Sequence, residues 1–358
     1  MSMKRMQRII AVGVTLALAS AVVAGCGTSG DDDNGDDGGS SKKSDGPEVG
    51  LVTDIGGLND RSFNFLANKG FEQAEDDLGA TGSVIESKSD SDYGRNLGSQ
   101  VTGGADLVVG IGFLMGDAVK DAASKAPDTN FAIVDFTYQN FETNKWDATD
   151  NVAGILFKEQ EAGYLAGVLA GAAEEAGELE GLNEEKVVSA VGGLEIPPVV
   201  KFIAGFKAGV ESQCKDCEVL VDYSQDFVDQ AKCQDRANAQ IAKGSDIVFQ
   251  VAGQCGLGAL DAAKSKGVWG IGVDADQAYL GDHILTSAMK RVDTAVFEMI
   301  KSVADGDFKG GEARVFGLAE EGVGVGEIAE PAKQYEDVVD EASQAIIDGD
   351  VTVPETIS

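Results

Sequence analysis

The sequence predicts an α/β protein made of two similar Rossmann-like lobes with parallel sheets and a ligand crevice between them. Three observations carry this. Strand-like and helix-like runs alternate from Val49 onward, the signature of a parallel sheet covered by helices on both faces. A βαβ block then repeats: Ala105-Asp-Leu-Val-Val-Gly-Ile-Gly-Phe113, a helix and Phe131-Ala-Ile-Val-Asp135 are echoed 139 to 140 residues later by Ser245-Asp-Ile-Val-Phe-Gln-Val-Ala-Gly253, a helix and Trp269-Gly-Ile-Gly-Val-Asp274. Finally, strands in both copies end in aspartate (Asp54, Asp135, Asp274), where parallel sheets present side chains to ligands.

In chain order, residues 1–25 read as an export signal, with Lys4, Arg5 and Arg8 ahead of an apolar run from Ile9 to Val23. Val23-Ala-Gly-Cys26 places small residues directly before a cysteine, which resembles the lipobox of bacterial lipoproteins and would make Cys26 the lipidated first residue. Residues 26–47 form a tether. From Gly27 to Gly46 they are almost all Gly, Ser, Asp and Lys with no large apolar side chain, and such a coil reaches about 25 Å. Its acidic run, Asp31 to Asp37, lacks the closing glutamate of a calcium loop, so no metal is expected there.

The folded part then predicts strands at 49–53, 107–111, 130–135, 187–191, 218–222, 247–251 and 269–273. Helices are predicted at 62–78, 117–126, 158–174, 199–212, 228–243, 256–266 and 293–305. The strand-to-helix turn from Val52 to Asn64 stands out. Gly56 and Gly57 allow a sharp turn, Asn59, Asp60 and Ser62 can cap the helix, and Asp54 would lie beside Phe63. A carboxylate next to an aromatic face suits a ligand that has both hydroxyls and a flat ring.

Charge and composition narrow the function. With 61 acidic against 28 basic residues and a net charge of −33, counterion release cannot drive nucleic-acid binding, and multiply phosphorylated ligands are disfavoured. Four cysteines remain beside Cys26, an even number that suggests two disulfides in an exported domain. Of the three connectivities we favour Cys214–Cys217 with Cys233–Cys255. A structural zinc is disfavoured by a single histidine, His283, whose role the sequence leaves open, and by the lack of a second CxxC. Gly110-x-Gly112-x-x-x-Gly116 imitates a dinucleotide fingerprint but its spacing is off by one, so no cofactor is expected. Catalytic constellations are also hard to assemble, as there is no Gly-x-Ser-x-Gly elbow. The enzyme alternative is a nucleosidase-like hydrolase using Asp54, Asp135 and Asp274; a signalling or adhesive surface lipoprotein is a third reading.

Val52 to Asn64, Glu159-Gln-Glu-Ala-Gly-Tyr-Leu-Ala-Gly167, Gly192-Gly-Leu-Glu-Ile-Pro-Pro198, Phe249-Gln-Val-Ala-Gly253, Gly272-Val-Asp-Ala-Asp-Gln277 and Thr286-Ser-Ala-Met-Lys290 resemble the BMP family of basic membrane lipoproteins, from about Val49 to Phe316. These are substrate-binding components of ABC transporters and include purine nucleoside receptors. The resemblance implies a type I periplasmic-binding-protein fold with a three-crossover hinge near 152–157, 276–284 and 316–322. The lobes would be 48–155 plus about 282–318, and 156–281 plus about 319–358.

It further implies a lipid-anchored monomer on the extracytoplasmic face of the cell membrane that binds guanosine, adenosine or inosine and passes it to the permease, without catalysis. Carried over by position, Phe63 and Phe249 would stack the base, with Phe202 as the other candidate for the second wall. Asp54, Asp274 and Lys290 would hold the ribose, Asp135 would face the base edge, and Asn64 and Gly253 would complete the shell, with Ser62 a further candidate. One departure is Gln254-Cys255, where many relatives have Gly-Thr.

Overall fold

The computed structural model describes residues 46–140 and 142–357. The signal segment, Cys26 and the tether up to residue 45 lie outside the described residues. The described residues fall within one compact unit.

The first lobe begins with β1 (Glu48–Val52), α1 (Phe63–Leu78), β2 (Thr81–Ile85), α2 (Tyr93–Thr102), β3 (Leu107–Ile111), α3 (Gly116–Lys125) and β4 (Asn130–Val134). A small hairpin of β5 (Gln139–Asn140) and β6 (Lys145–Trp146) leads to β7 (Val152–Phe157). The chain then crosses at Lys158 into the second lobe. There it forms α4 (Glu159–Ala176), β8 (Val187–Gly192), α5 (Pro197–Gln213), β9 (Glu218–Tyr223), α6 (Gln230–Ile241), β10 (Ser245–Val251), α7 (Gly253–Lys266), β11 (Trp269–Asp274) and β12 (Ile284–Lys290). It returns at Arg291 for α8 (Val292–Ala304), which packs on α1, and β13 (Ala313–Phe316). Residues 317–322 cross a third time, to β14 (Val323–Val325) and α9 (Glu336–Ile347), which packs on α4.

Among the described residues each lobe holds a six-stranded sheet, ordered β13-β7-β4-β3-β1-β2 in the first and β14-β12-β11-β10-β8-β9 in the second. The orders correspond strand for strand, so the repeat seen in the sequence is a repeat of sheet topology. They differ at one edge, where β13 runs parallel to β7 but β14 antiparallel to β12. The shared fold is the type I architecture expected from the sequence.

Two crossovers differ from expectation. Residues 152–157 are not a connection but an interior strand paired with both β4 and β13, and the crossing follows one residue later. The second crossing lies at Arg291 rather than at 276–284, because Ile284–Lys290 pairs with β11 and β14 in the second sheet. That strand is buried on both faces yet carries Thr286, Ser287 and Lys290, so it shows neither the alternation of a half-exposed strand nor the continuous apolar run of a buried one. The lobes are therefore 48–157 with 292–316, and 159–290 with 323–357.

Inside the second lobe α4 and α5 pack very closely. A Cβ on Gly163 would stand 2.1 Å from the Phe202 carbonyl oxygen, so only glycine lets the two backbones meet there. This contact seats Phe202. The structure joins Cys214 to Cys217 and Cys233 to Cys255, both in this lobe, with Cα separations of 5.4 and 5.5 Å. No helix among the described residues is long and apolar enough to cross a membrane.

Candidate functional site

A cavity with about 630 Å³ of atom-free space, partly open to solvent, lies between the lobes at the carboxyl ends of their strands. Asp54, Asp60, Phe63, Asn64, Gly112, Phe113 and Asp135 line it from the first lobe. Ile196, Pro198, Val199, Phe202, Phe227, Val251, Gly253, Asp274 and Lys290 line it from the second.

The first βα-turn is built around Asp60. Its buried carboxylate accepts from the backbone N–H groups of Ser62 (3.0 Å), Asn64 (2.7 Å) and Phe65 (3.1 Å), the donors that the start of α1 leaves unpaired, and from Asn64 Nδ2 at 3.0 Å. Asn64 thus held accepts at Oδ1 from the Asp54 N–H, 2.9 Å away. Asp54 Oδ1 in turn accepts from the Ile55 N–H at 2.6 Å and from the Tyr93 hydroxyl. Gly112 makes room for this carboxylate, since a Cβ there would approach Asp54 Oδ2 to 2.5 Å.

Asp135 directly follows β4 and Asp274 ends the equivalent strand β11, and both adopt left-handed backbone conformations, with φ of 67° and 62°. Aspartate tolerates that region better than most residues, yet the strain costs on the order of 1 kcal/mol or more and marks both positions. Each carboxylate engages the opposite lobe. Asp274 Oδ2 accepts from the Ser62 hydroxyl at 2.6 Å, and Asp135 Oδ2 accepts from Lys290 Nζ at 2.6 Å. Lys290 also donates to Glu159 Oε1 at 3.1 Å and lies 5.0 Å from the ring centroid of Phe63, 5.0 Å from Phe157 and 5.9 Å from Phe202.

Burial sets the titration of the site. It pushes Asp54 and Asp274 up to about 6, against the hydrogen bonds of Tyr93 and Ile55 on one and the charge of Lys290 on the other. It pushes Glu159 up to about 7, opposed chiefly by Lys290. For Lys290 burial acts downward, but Asp135, Glu159 and Asp274 outweigh it and hold the ammonium above the usual lysine range.

Of the residues singled out in the sequence, Asp54, Phe63, Asn64, Asp135, Phe202, Gly253, Asp274 and Lys290 converge on the cavity. Phe249 does not. It is fully buried behind Phe202, packed on Phe206 at 5.0 Å and edge-on to Phe202 at 6.4 Å. Its neighbour two positions on, Val251, shares its face of β10 and is the one that reaches the cavity; Phe249 lies one pleat, about 7 Å, too deep. Ser62 is buried too, and its hydroxyl holds Asp274 rather than lining the space. His283 lies outside the cavity lining. Sequence reasoning missed Tyr93, Glu159, Phe113 and Phe227 as site residues. Glu159 stands in a quoted motif and Phe113 ends a repeated segment, so both carried a signal; Tyr93 and Phe227 carried none.

The sequence profile of the Bmp family, described as ABC transporter substrate-binding protein PnrA-like, matches residues 48–356. The chain belongs to this family. Among Bmp relatives, a CD4+ T-cell-stimulating antigen of Listeria innocua serovar 6a is 36% identical over 98% of this chain and 99% of its own length. The ABC transporter nucleoside-binding protein BmpA of Lactococcus lactis is 34% identical over 97% of this chain and 99% of its own. A solved ABC transporter solute-binding protein from Aeropyrum pernix superposes with a TM-score of 0.76 at 27% identity, covering 86% of this chain and 94% of that one. This Bmp protein is thus a substrate-binding component of an ABC transporter. Its three strand-end aspartates each spend one oxygen on the protein; the hydrogen bonds leave Asp54 Oδ2 and Asp274 Oδ1 free on residues that line the cavity, and Asp135 Oδ1 is buried without a partner. Such oxygens suit a ligand rich in hydrogen-bond donors and without negative charge.

Proposed function

We propose that this protein captures a purine nucleoside in the interlobe cavity and delivers it to its ABC permease, binding it without turnover. The observation that carries the reading is the set of three half-engaged carboxylates, Asp54, Asp135 and Asp274, in a cavity walled by the rings of Phe63 and Phe202. The carboxylates accept from ribose hydroxyls and base N–H groups, and the rings stack the base, each contact of that kind being worth about 1–3 kcal/mol. Four carboxylates against one ammonium repel a 5′-phosphate, so nucleosides are taken in preference to nucleotides. A relative named as a nucleoside-binding protein at 34% identity supports the same ligand class.

Residues 1–26 support export and lipid anchoring through Cys26, so the monomeric domain works at the extracytoplasmic face of the cell membrane. Titration calorimetry with guanosine, adenosine and inosine tests the reading. Micromolar or tighter binding is expected, with intact nucleoside recovered by chromatography; no heat with any nucleoside overturns it, and released free base would show an enzyme instead.

A further inference from the structure

The three crossovers are laced together by the backbone. Lys158 N–H donates to the Phe316 carbonyl at 3.0 Å, and Arg291 N–H to the Gly322 carbonyl at 2.8 Å. Two side chains from the first turn of α4 extend the lacing. Glu161 Oε2 accepts from the Leu318 N–H at 2.8 Å, which grips the third crossover. Glu159, directly after the first crossover, binds Lys290, directly before the second.

The Lys290 ammonium therefore touches both residues that flank the first crossover, Phe157 through its ring and Glu159 through its carboxylate. Its other hydrogen bond spans the cleft to Asp135 in the cavity wall. Lys290 and Glu159 belong to the same lobe and are both almost fully buried, 1% and 2% exposed. When the lobes part, Asp135 leaves with the first lobe while Glu159 stays beside Lys290. A buried ammonium needs a countercharge in both states; Asp274 also stays with the second lobe, but Glu159 is the carboxylate of that lobe that hydrogen-bonds Lys290 directly.

We propose that Glu159, which does not line the cavity, is a positioning residue for ligand capture: it holds Lys290 at the hinge so that lobe closure and completion of the Asp135 side of the cavity are one event. The proposal rests on the cavity being the nucleoside site. Glu159 is faced by Lys290 from β12, by Asp135 from the end of β4 and by Lys201 from α5, whose Nζ lies 4.0 Å from Oε2 and 3.3 Å from Glu355 of the C-terminal segment. Because burial lifts Glu159 to about 7, ligand affinity weakens as pH falls through that value, a step separate from the one near 6 that Asp54 and Asp274 produce.

The test is calorimetry and stopped-flow dissociation with guanosine on the full chain, from pH 5 to 9, with thermal melts to establish folding. Glu159→Gln is expected to weaken binding about ten-fold or more at pH 8, mainly through faster dissociation, and to erase the step near pH 7 while keeping the one near 6. In a Lys290→Met background the same substitution should change affinity by less than about two-fold, because its route is already gone. Wild-type affinity and pH profile in Glu159→Gln, or an equal loss in both backgrounds, overturns the proposal. Should Glu159→Gln fail to fold, Lys201→Met, which removes a half-buried countercharge, should move the step upward from pH 7, and an unmoved profile overturns it. A wild-type chain that binds no nucleoside overturns the functional reading instead. Glu159→Gln must then shift small-angle scattering of the unliganded chain toward a more open form, and an unchanged curve overturns the hinge role.

Discussion

The turn from β1 to α1 and the turn from β8 to α5 occupy equivalent places in two sheets of the same strand order, yet each satisfies its helix N-terminus differently. The first uses the Asp60 carboxylate, which accepts three backbone N–H groups and brings a charge to the cavity wall. The second begins α5 with Pro197 and Pro198, residues that have no N–H to satisfy, and its cavity wall is apolar. The lobes share a topology but divide the chemistry. Polar side chains come from both lobes, Asp54, Asp60, Asn64 and Asp135 from the first and Gln254, Asp274 and Lys290 from the second, but Ile196, Pro198, Val199, Phe202, Phe227 and Val251 give the second lobe most of the apolar wall, so a ligand with a sugar-like edge and a flat face needs both. Rigidity is divided as well, since both disulfides found among the described residues lie in the second lobe, and Cys233–Cys255 ties α6 to the first turn of α7 beside Gly253.

The largest test of this division is Phe202→Ala. Truncating a buried ring costs about 3–5 kcal/mol of stability in chemical denaturation, and a further 1–3 kcal/mol, roughly, in nucleoside binding. Phe249→Ala should match the first loss and lack the direct stacking loss, because its ring stands behind the wall; equal binding losses in the two variants would return Phe249 to the site. Removing the Cys233–Cys255 bridge with two alanines should cost about 3 kcal/mol in denaturant unfolding, more than removing Cys214–Cys217, at about 2, because the closed loop is longer. Asp60→Ala leaves buried helix donors unpaired and should cost about 2 kcal/mol, whereas Pro197→Ala at the equivalent place should cost less than about 1. A reversed ranking by thermal denaturation would break the comparison of the turns.

The last test is in pH. Asp54 and Asp274, one from each lobe, titrate near 6 in the folded chain and near about 3.9 unfolded. Between those values the folded state binds more protons, so their contribution to stability is greatest at low pH and declines as pH rises from about 4 to about 6. Nucleoside affinity should run the other way and strengthen through pH 6, as the carboxylates ionise and accept hydroxyls. Asp54→Asn and Asp274→Asn should each remove about half of the stability slope measured by melting temperature; a single variant that abolishes it would show that one lobe dominates.

Much of the fold was legible because its signals are local. The helices at 62–78, 158–174 and 256–266 appear within three residues of their observed ends. The strand Ile284–Lys290 escaped, since its buried Thr286, Ser287 and Lys290 break the continuous apolar run by which the other fully buried strands are read. With it went the second crossover. At the site, the strand-end aspartates were readable from their repeated positions, while Phe249 misled because an aromatic in a site motif carries no mark of its depth along the strand. Glu159, Tyr93 and the anchoring role of Asp60 were invisible as partners, being defined by what they touch.

By itself the sequence determined the alternation of strand and helix, the duplication and hence two lobes of one topology, and the aspartates at the carboxyl ends of β4 and β11, because periodicity and repeat length are properties of neighbouring residues. Only the tertiary structure decided which pleat reaches the cavity, where the chain changes lobes, and that Lys290 bridges Asp135 and Glu159, partners 155 and 131 residues away. Those pairings depend on strand order and on how the two lobes meet, and no local pattern encodes a distance of that kind.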